Sequence, residues 1–239
     1  LWRVDLLGGK YTEMEQIVRS LEPITLVGAG ECAEIDIKQC LDMAPRVFAA
    51  DGGARHCRAA GIMPELVIGD LDSILEGETL DIPPTHLHHV AEQDSTDFEK
   101  ALRVLTAPLI LGVGFTGARM DHQLACYNAL VRYPERRCVL LSDSDIAFLA
   151  PPSLELPLVA GTRVSLFPMG LVEGVSDGLR WPIAGLTFTP DGRIGTSNEA
   201  TGAVMLSVTA PKMLVILPRE CFAIVVTALA APSGSWPAL

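Results

Sequence analysis

From Pro23 to about Ser142 short apolar runs alternate with amphipathic stretches, and this alternation limits the possible folds more than any other feature of the chain. The runs are Ile24–Val27, Arg46–Ala50, Leu66–Ile68, Leu109–Val113 and Cys138–Leu141, with a weaker one around His88–Val90. Between them, residues near 32–43, 54–60, 96–106 and 121–132 carry apolar side chains at helical spacing. Strands that alternate with helices require crossover connections, so the pattern predicts a parallel sheet. The clearest helix starts at Thr96. There Thr96-Asp97-Phe98-Glu99 has the form of a capping box, and Phe98, Ala101, Leu102 and Leu105 line one face.

Beyond Ile146 the pattern changes. Pro151-Pro152 marks a break, and Thr162–Phe167, Leu186–Thr189, Ala203–Val208 and Met213–Leu217 read as short strands separated by Gly, Pro and Asp. The expected fold class is an α/β N-terminal domain with a parallel, Rossmann-like sheet over residues 14–146, followed by a C-terminal all-β sandwich over residues 147–231. Residues 1–13 and 232–239 are expected to be flexible termini. The chain has 239 residues, 49% of them hydrophobic, enough to fill two modest cores.

Charge narrows the function. Acidic residues outnumber basic ones by 29 to 18, and the excess is confined to the first part, 23 against 13 through residue 150 and 6 against 5 after it. So acidic a chain is a poor partner for nucleic acid, whose phosphates need basic surface. A membrane location is not expected either, because the apolar stretch from Met213 to Ala231 is interrupted by Arg219 and Glu220 and falls short of the ~20 residues of a span. Six scattered cysteines without metal spacing read as free thiols, which points to a cytoplasmic protein.

Two glycine loops follow predicted strands, Gly28-Ala29-Gly30-Glu31-Cys32-Ala33 and Gly112-Val113-Gly114-Phe115-Thr116-Gly117. Both fit a dinucleotide fingerprint, and Asp51 stands about where a ribose-binding acid would, so an NAD-type oxidoreductase is one reading. No phosphate loop of the Walker type is present. The acidic segment Gly69-Asp70-Leu71-Asp72 is more telling. It places two carboxylates just beyond a strand, at the edge where open parallel sheets bind ligands, and Mg²⁺ typically takes one or two carboxylates plus phosphate oxygens. Asp51, Asp94, Asp97 and Asp121 fall at similar junctions, with helix capping as their alternative role. Lys100 shares a helix side with Asp97, and Arg119 in the second glycine loop could fork onto a phosphate. His86-Leu87-His88-His89 lacks partners at ligand spacing and reads as the start of an ordinary strand.

Taken in order, these segments resemble the thiamine pyrophosphokinase family. The matching stretches are Ala50-Asp51-Gly52-Gly53-Ala54, Ile68-Gly69-Asp70-Leu71-Asp72-Ser73-Ile74, Gln93-Asp94-Ser95-Thr96-Asp97-Phe98-Glu99-Lys100 and Gly117-Ala118-Arg119-Met120-Asp121-His122. Weaker collinear matches are Gly178-Leu179-Arg180-Trp181-Pro182 and Gly195-Thr196-Ser197-Asn198-Glu199. The resemblance implies a Mg²⁺-dependent enzyme that converts ATP and thiamine to AMP and thiamine diphosphate, built as a homodimer with active sites between subunits. By position, it implies that Asp70, Asp72 and Asp97 hold the metal and form the catalytic set; for the base that takes the hydroxyl proton, Asp97 is the first choice, with Asp70 and bulk solvent as the alternatives. Asp51, Gly52, Lys100, Arg119 and Asp121 then contact ATP, while Gln93, Ser197 and Asn198 face thiamine. Trp181 is the one tryptophan in a matching segment and is expected to serve the same ligand. A non-catalytic nucleotide or thiamine diphosphate sensor on the same scaffold is the other alternative.

Overall fold

The computed structural model describes residues 18–71, 82–230 and 234–238. The first part runs β1 (Val18–Arg19), β2 (Ile24–Val27), α1 (Glu34–Leu41), β3 (Arg46–Ala50), α2 (Gly53–Ala59), β4 (Leu66–Gly69), β5 (Leu87–His89), α3 (Asp97–Val104), β6 (Leu105–Thr106), β7 (Ile110–Val113), α4 (Met120–Arg132) and β8 (Cys138–Leu141). The second part runs β9 (Asp145–Leu149), β10 (Ser153–Leu156), β11 (Arg163–Pro168), β12 (Val172–Leu179), β13 (Thr187–Phe188), β14 (Gly195–Val208), β15 (Met213–Pro218) and α5 (Phe222–Ala230).

β8, β7, β2, β3, β4 and β5 lie side by side and parallel, as the alternating pattern predicts. All four residues of β2 are buried, because helices cover both faces of this sheet. Ile24 and Leu26 join one core with Phe48, Phe98, Leu102 and Leu130, under α3 and α4. Val27 joins the other with Ile37, Val47, Ala54 and Cys57, under α1 and α2. Thr25 also points into that second layer and satisfies its buried hydroxyl by donating to the Ala44 carbonyl at 2.7 Å. Truncating Leu26, which is fully buried, would cost about 2–5 kcal/mol.

The second part is antiparallel and continues the same sheet rather than standing apart. β9 pairs with β8, and the strand order then runs through β15, β11, β14 and β12 to β13. β14 changes partner along its 14 residues, with Gly195–Glu199 on β11 and the later residues on β10 and β12. It is also not purely strand: α5, buried through Phe222, Val225, Val226 and Leu229, packs on it. α5 is mostly apolar, so periodicity alone does not separate it from a buried strand.

The C-terminal tail departs from expectation. Ser235 accepts from the Arg137 guanidinium at 2.7 Å and Trp236 donates its indole N–H to the Ala150 carbonyl at 2.8 Å, so residues 234–238 are tied to the body. One aromatic with a polar tip is enough to anchor a Pro/Ser-rich end. No helix among the described residues is long and apolar enough to cross a membrane.

Candidate active site

A cleft of about 530 Å³ opens at the carboxyl edge of the parallel strands, between the glycine loops and the N-terminal ends of α3 and α4. α3 is positioned as its sequence requires. Thr96 is in extended backbone and its hydroxyl accepts the Glu99 N–H at 3.3 Å, while Glu99 turns away to accept from Tyr133 and Arg132, so only half the capping box forms.

Lys100 is the pivot of the cleft. Its side chain is 1% exposed, and its ammonium lies 3.0 Å from Asp70 Oδ2 and 3.2 Å from Asp97 Oδ1. A surface position, the commonest for lysine, is thus excluded. Burial alone would lower its pKa, but the bonds to Asp70 and Asp97 raise it above the usual value, so it stays charged. Burial raises the Asp97 carboxyl, Lys100 opposes this, and the nearby Asp51 and Asp70 push it further up. Gln93 donates to Asp70 Oδ2 at 3.2 Å. Beside them, burial would raise Glu92, but Ser95, Arg103 and the Asp94 amide hydrogen-bond to it and bring it down to about 2.

Asp51 lies beneath the cleft, 4% exposed, and its Oδ1 has no hydrogen-bond partner among the described residues. A side chain on Gly69 would meet Asp51 Cβ at 2.8 Å and Asp97 Oδ1 at 3.1 Å, so glycine there is what lets the acids crowd together. Repelling carboxylates and an unpaired buried oxygen form a hard-oxygen donor set that suits Mg²⁺. Among the described residues no group of three or more His, Cys, Asp or Glu forms a cage. Mg²⁺ needs only one or two such ligands beside phosphate oxygens. Asp72 lies outside the described residues.

Other expected residues divide. Arg119 lines the mouth of the cleft, but it is paired with Asp121 at 2.6 Å, and both are largely exposed. Gly52 directly precedes α2. Trp181, Ser197 and Asn198 are not in the cleft; they form a second cluster on β14 and the turn after β12. The Asn198 amide donates to the Trp181 carbonyl at 2.8 Å, and its oxygen accepts from the Trp181 and Glu199 N–H groups. Asn198 is therefore buried and fully used in holding Trp181, whose ring is 55% exposed under the Arg180 guanidinium. Registers from Leu141↔Ile146 through Ile146↔Leu217 and Ile216↔Ser165 to Val164↔Asn198 put this cluster at the same sheet edge as the cleft.

The glycine loops lie against each other: Gly30 N–H donates to the Gly114 carbonyl at 2.7 Å, and a Cβ on Gly28 would sit 2.4 Å from that oxygen. Their glycines are explained by this contact, which leaves the dinucleotide reading unsupported. Sequence reasoning missed Phe115, whose ring packs against Phe98 at 4.6 Å to form the apolar wall of the cleft, and His122 at its rim. Both lie inside matching or glycine-loop segments, the only signal that could have found them. Burial pushes the thiol of Cys126, also in the cleft wall, to about 12, so it is no nucleophile. Among the described residues, four non-glycine residues have left-handed backbone, Asp51 (φ 37°), Leu71 (63°), Ala118 (50°) and Ser197 (63°), and each falls in one of the matching segments.

Fold and cleft together define an α/β protein with an acidic crevice at the carboxyl edge of its parallel strands. The model of the thiamin pyrophosphokinase catalytic domain matches residues 37–141. Thiamine pyrophosphokinase 1 of Arabidopsis thaliana is 30% identical over 155 residues, covering 56% of this chain and 58% of that protein. Thiamine pyrophosphokinase 3 of Oryza sativa subsp. japonica is 25% identical over 186 residues, 70% of this chain and 69% of its own. The chain thus spans less than two thirds of the first of these relatives. Among solved structures, thiamine pyrophosphokinase from Bacillus subtilis superposes with a TM-score of 0.67 at 23% identity, covering 82% of this chain and 98% of that one. Yeast thiamin pyrophosphokinase gives 0.66 at 14% identity, covering 92% and 95%. The structures speak for the fold, and the domain match and the plant relatives make part of this chain similar to thiamine pyrophosphokinases.

Proposed function

We propose that the protein transfers the pyrophosphoryl group of ATP to the hydroxyl of thiamine, giving thiamine diphosphate and AMP. The observation that carries this reading is the convergence of Asp70 and Asp97 on the buried Lys100, with Asp51 beneath and Arg119 at the rim. Such transfer depends mostly on positioning and charge neutralisation. Asp70, Asp97 and Asp72 would hold Mg²⁺, which, when bound, neutralises the phosphate oxygens. Lys100 fixes the two acids in place and adds a cation. Arg119 must leave Asp121 to clamp phosphate, which its exposure permits. The bond from the thiamine oxygen to the β-phosphorus forms as the bond between that phosphorus and the α,β-bridging oxygen breaks. The hydroxyl proton goes to Asp97, which lines the cleft beside Asp70 and Lys100.

Gln93 at the cleft and Trp181 with Ser197 in the second part are read as thiamine contacts, with Asn198 holding Trp181. Five strand spacings of ~4.8 Å, about 24 Å along the sheet, separate β7 from β14. One thiamine cannot touch both clusters in a single chain, which favours a homodimer whose subunits exchange them. On this division, residues 14–146 handle metal and nucleotide and residues 147–231, the sandwich-like part, read thiamine. All six cysteines are free thiols, in keeping with a reducing cytosol.

The test is direct: incubate the protein with ATP, Mg²⁺ and thiamine, and assay AMP and thiamine diphosphate together. Equimolar formation of both is the expected result. Tight binding without either product would turn the reading towards a sensor.

A further inference from the structure

The two glycine loops are stacked backbone on backbone, and a side chain from outside holds the stack. A Cβ on Gly114 would lie 2.5 Å from the Gly28 carbonyl oxygen, and one on Gly30 would lie 2.8 Å from the Gly114 oxygen. Gly28 N–H donates to the Val113 carbonyl at 2.8 Å, beside the bond from Gly30 to Gly114. Contact this close leaves no slack, so a shift of Gly30 moves Gly114 with it. Gly30 and Gly114 both line the acidic cleft, and Gly114 leads into Phe115 and the Arg119 mouth.

The holding side chain is His56 of α2. A Cβ on Gly53, the first residue of α2, would fall 2.0 Å from the Val27 carbonyl oxygen, so the helix starts pressed against the end of β2. One turn on, His56 stands on the same side of the helix and reaches the loop that follows β2. Its Nε2 lies 2.9 Å from the Gly30 carbonyl oxygen. A carbonyl only accepts, so Nε2 carries the proton and donates it. Gly30 is thus gripped through both its polar atoms, the N–H by Gly114 and the C=O by His56. α2 also follows directly on Asp51 and Gly52, so one helix ties the Asp51 turn to both glycine loops. His56 does not itself line the cleft.

We propose that His56 is a positioning residue of the cleft: through Gly30 it sets where the glycine loops lie against Asp70, Asp97 and Lys100, and so where the phosphates of a nucleoside triphosphate come to rest. The proposal rests on reading the cleft as the triphosphate site. The residues read as thiamine contacts, Gln93, Trp181 and Ser197, lie on other segments and keep their places without His56.

The test compares His56→Ala and His56→Gln with wild type, all as the whole chain. Three quantities are read: the two KM values, the Kd of ATP with Mg²⁺ by calorimetry, and amide hydrogen exchange at Gly30 with no ligand present. His56→Ala should raise the ATP KM and Kd about 5-fold or more and leave the thiamine KM within about 2-fold. Exchange at Gly30 should quicken about 10-fold. A glutamine amide also carries an N–H donor at its tip, so His56→Gln should return ATP affinity and exchange to within about 2-fold of wild type. Loss of folded protein alone would lower kcat and the number of binding sites but move neither constant, which separates positioning from mere support. Should His56→Ala not fold, His56→Leu keeps the bulk and removes the donor. An ATP KM that stays put, or that moves together with the thiamine KM, would overturn the proposal, and so would a His56→Gln variant as impaired as His56→Ala. If wild type binds ATP but forms no product, the transfer reading falls, while ATP affinity and Gly30 exchange still decide His56. A wild type that binds no ATP would sink both.

Discussion

At the carboxyl edge of the parallel strands, Asp70 and Asp97 meet on one buried ammonium, and the neighbouring Asp51 leaves an oxygen unpaired. Further along the same edge, every polar atom of the buried Asn198 amide group bonds to backbone. The first arrangement is incomplete without a ligand. The second is complete by itself and serves to present the exposed Trp181 ring. Polar burial thus has two meanings in one sheet, and the satisfied or unsatisfied state of each atom tells them apart.

The largest expected effect that can break this contrast comes from Asp70→Asn. Turnover should fall by more than about 100-fold while the circular dichroism spectrum is retained, because on the proposed reading a metal and phosphate contact is lost with little packing. Asp72→Asn should behave alike, and near-normal turnover of both at saturating Mg²⁺ would end the metal assignment.

Lys100→Met comes next. It leaves Asp70 and Asp97 facing each other without their cation and should cost about 2 kcal/mol in denaturant unfolding. Mg²⁺ should restore more of the lost stability than it adds to wild type, since it replaces the missing charge. No difference between the two responses would show that the cluster does not take a cation.

Asn198→Ala should cost about 1 kcal/mol and raise the thiamine KM about 10-fold, with the ATP KM unchanged. Trp181→Ala should match the KM effect without the loss of stability, because its ring is exposed. A variant Asn198→Ala that weakens ATP instead would dissolve the contrast between the two clusters.

The smallest effects are those of pH. Asp97 has a raised pKa, so its charged form, which the proposed metal site needs, is lost at a higher pH than for an ordinary aspartate as pH falls. Mg²⁺-dependent ATP affinity should therefore weaken on the acid side earlier than a pKa near 4 would allow, and Asp97→Asn should flatten that limb. Glu92 is depressed to about 2, so the stability it contributes is full above its ordinary value of 4.5 and is lost as pH falls through about 2. An Asp97→Asn variant with the wild-type acid limb would remove Asp97 from the binding step.

The parallel strands, the Thr96 start of α3 and the Asp70 and Asp97 positions were legible because each depends on neighbours in the chain. Lys100 was legible as a partner of Asp97 but not as a buried cation, since its cover comes from Asp70 on the loop after β4, 30 residues away. Asn198 looked like a ligand contact because sequence carries no sign of which way an amide faces. The tether from His56 to Gly30 could not be foreseen: the two stand 26 positions apart with no common spacing. Nor could the continuity of the sheet, which depends on β9 turning back onto β8.

The left-handed residues bear on how this protein could be adapted to heat. Ala118, exposed and at φ 50°, bears strain of about 1 kcal/mol that glycine would relieve, yet glycine would also loosen the unfolded chain by a similar amount. The two nearly cancel, so Ala118→Gly should leave the melting temperature almost unmoved while letting Arg119 wander from the mouth of the cleft. A selection for thermal tolerance would pass over such a position, and a selection for turnover would not.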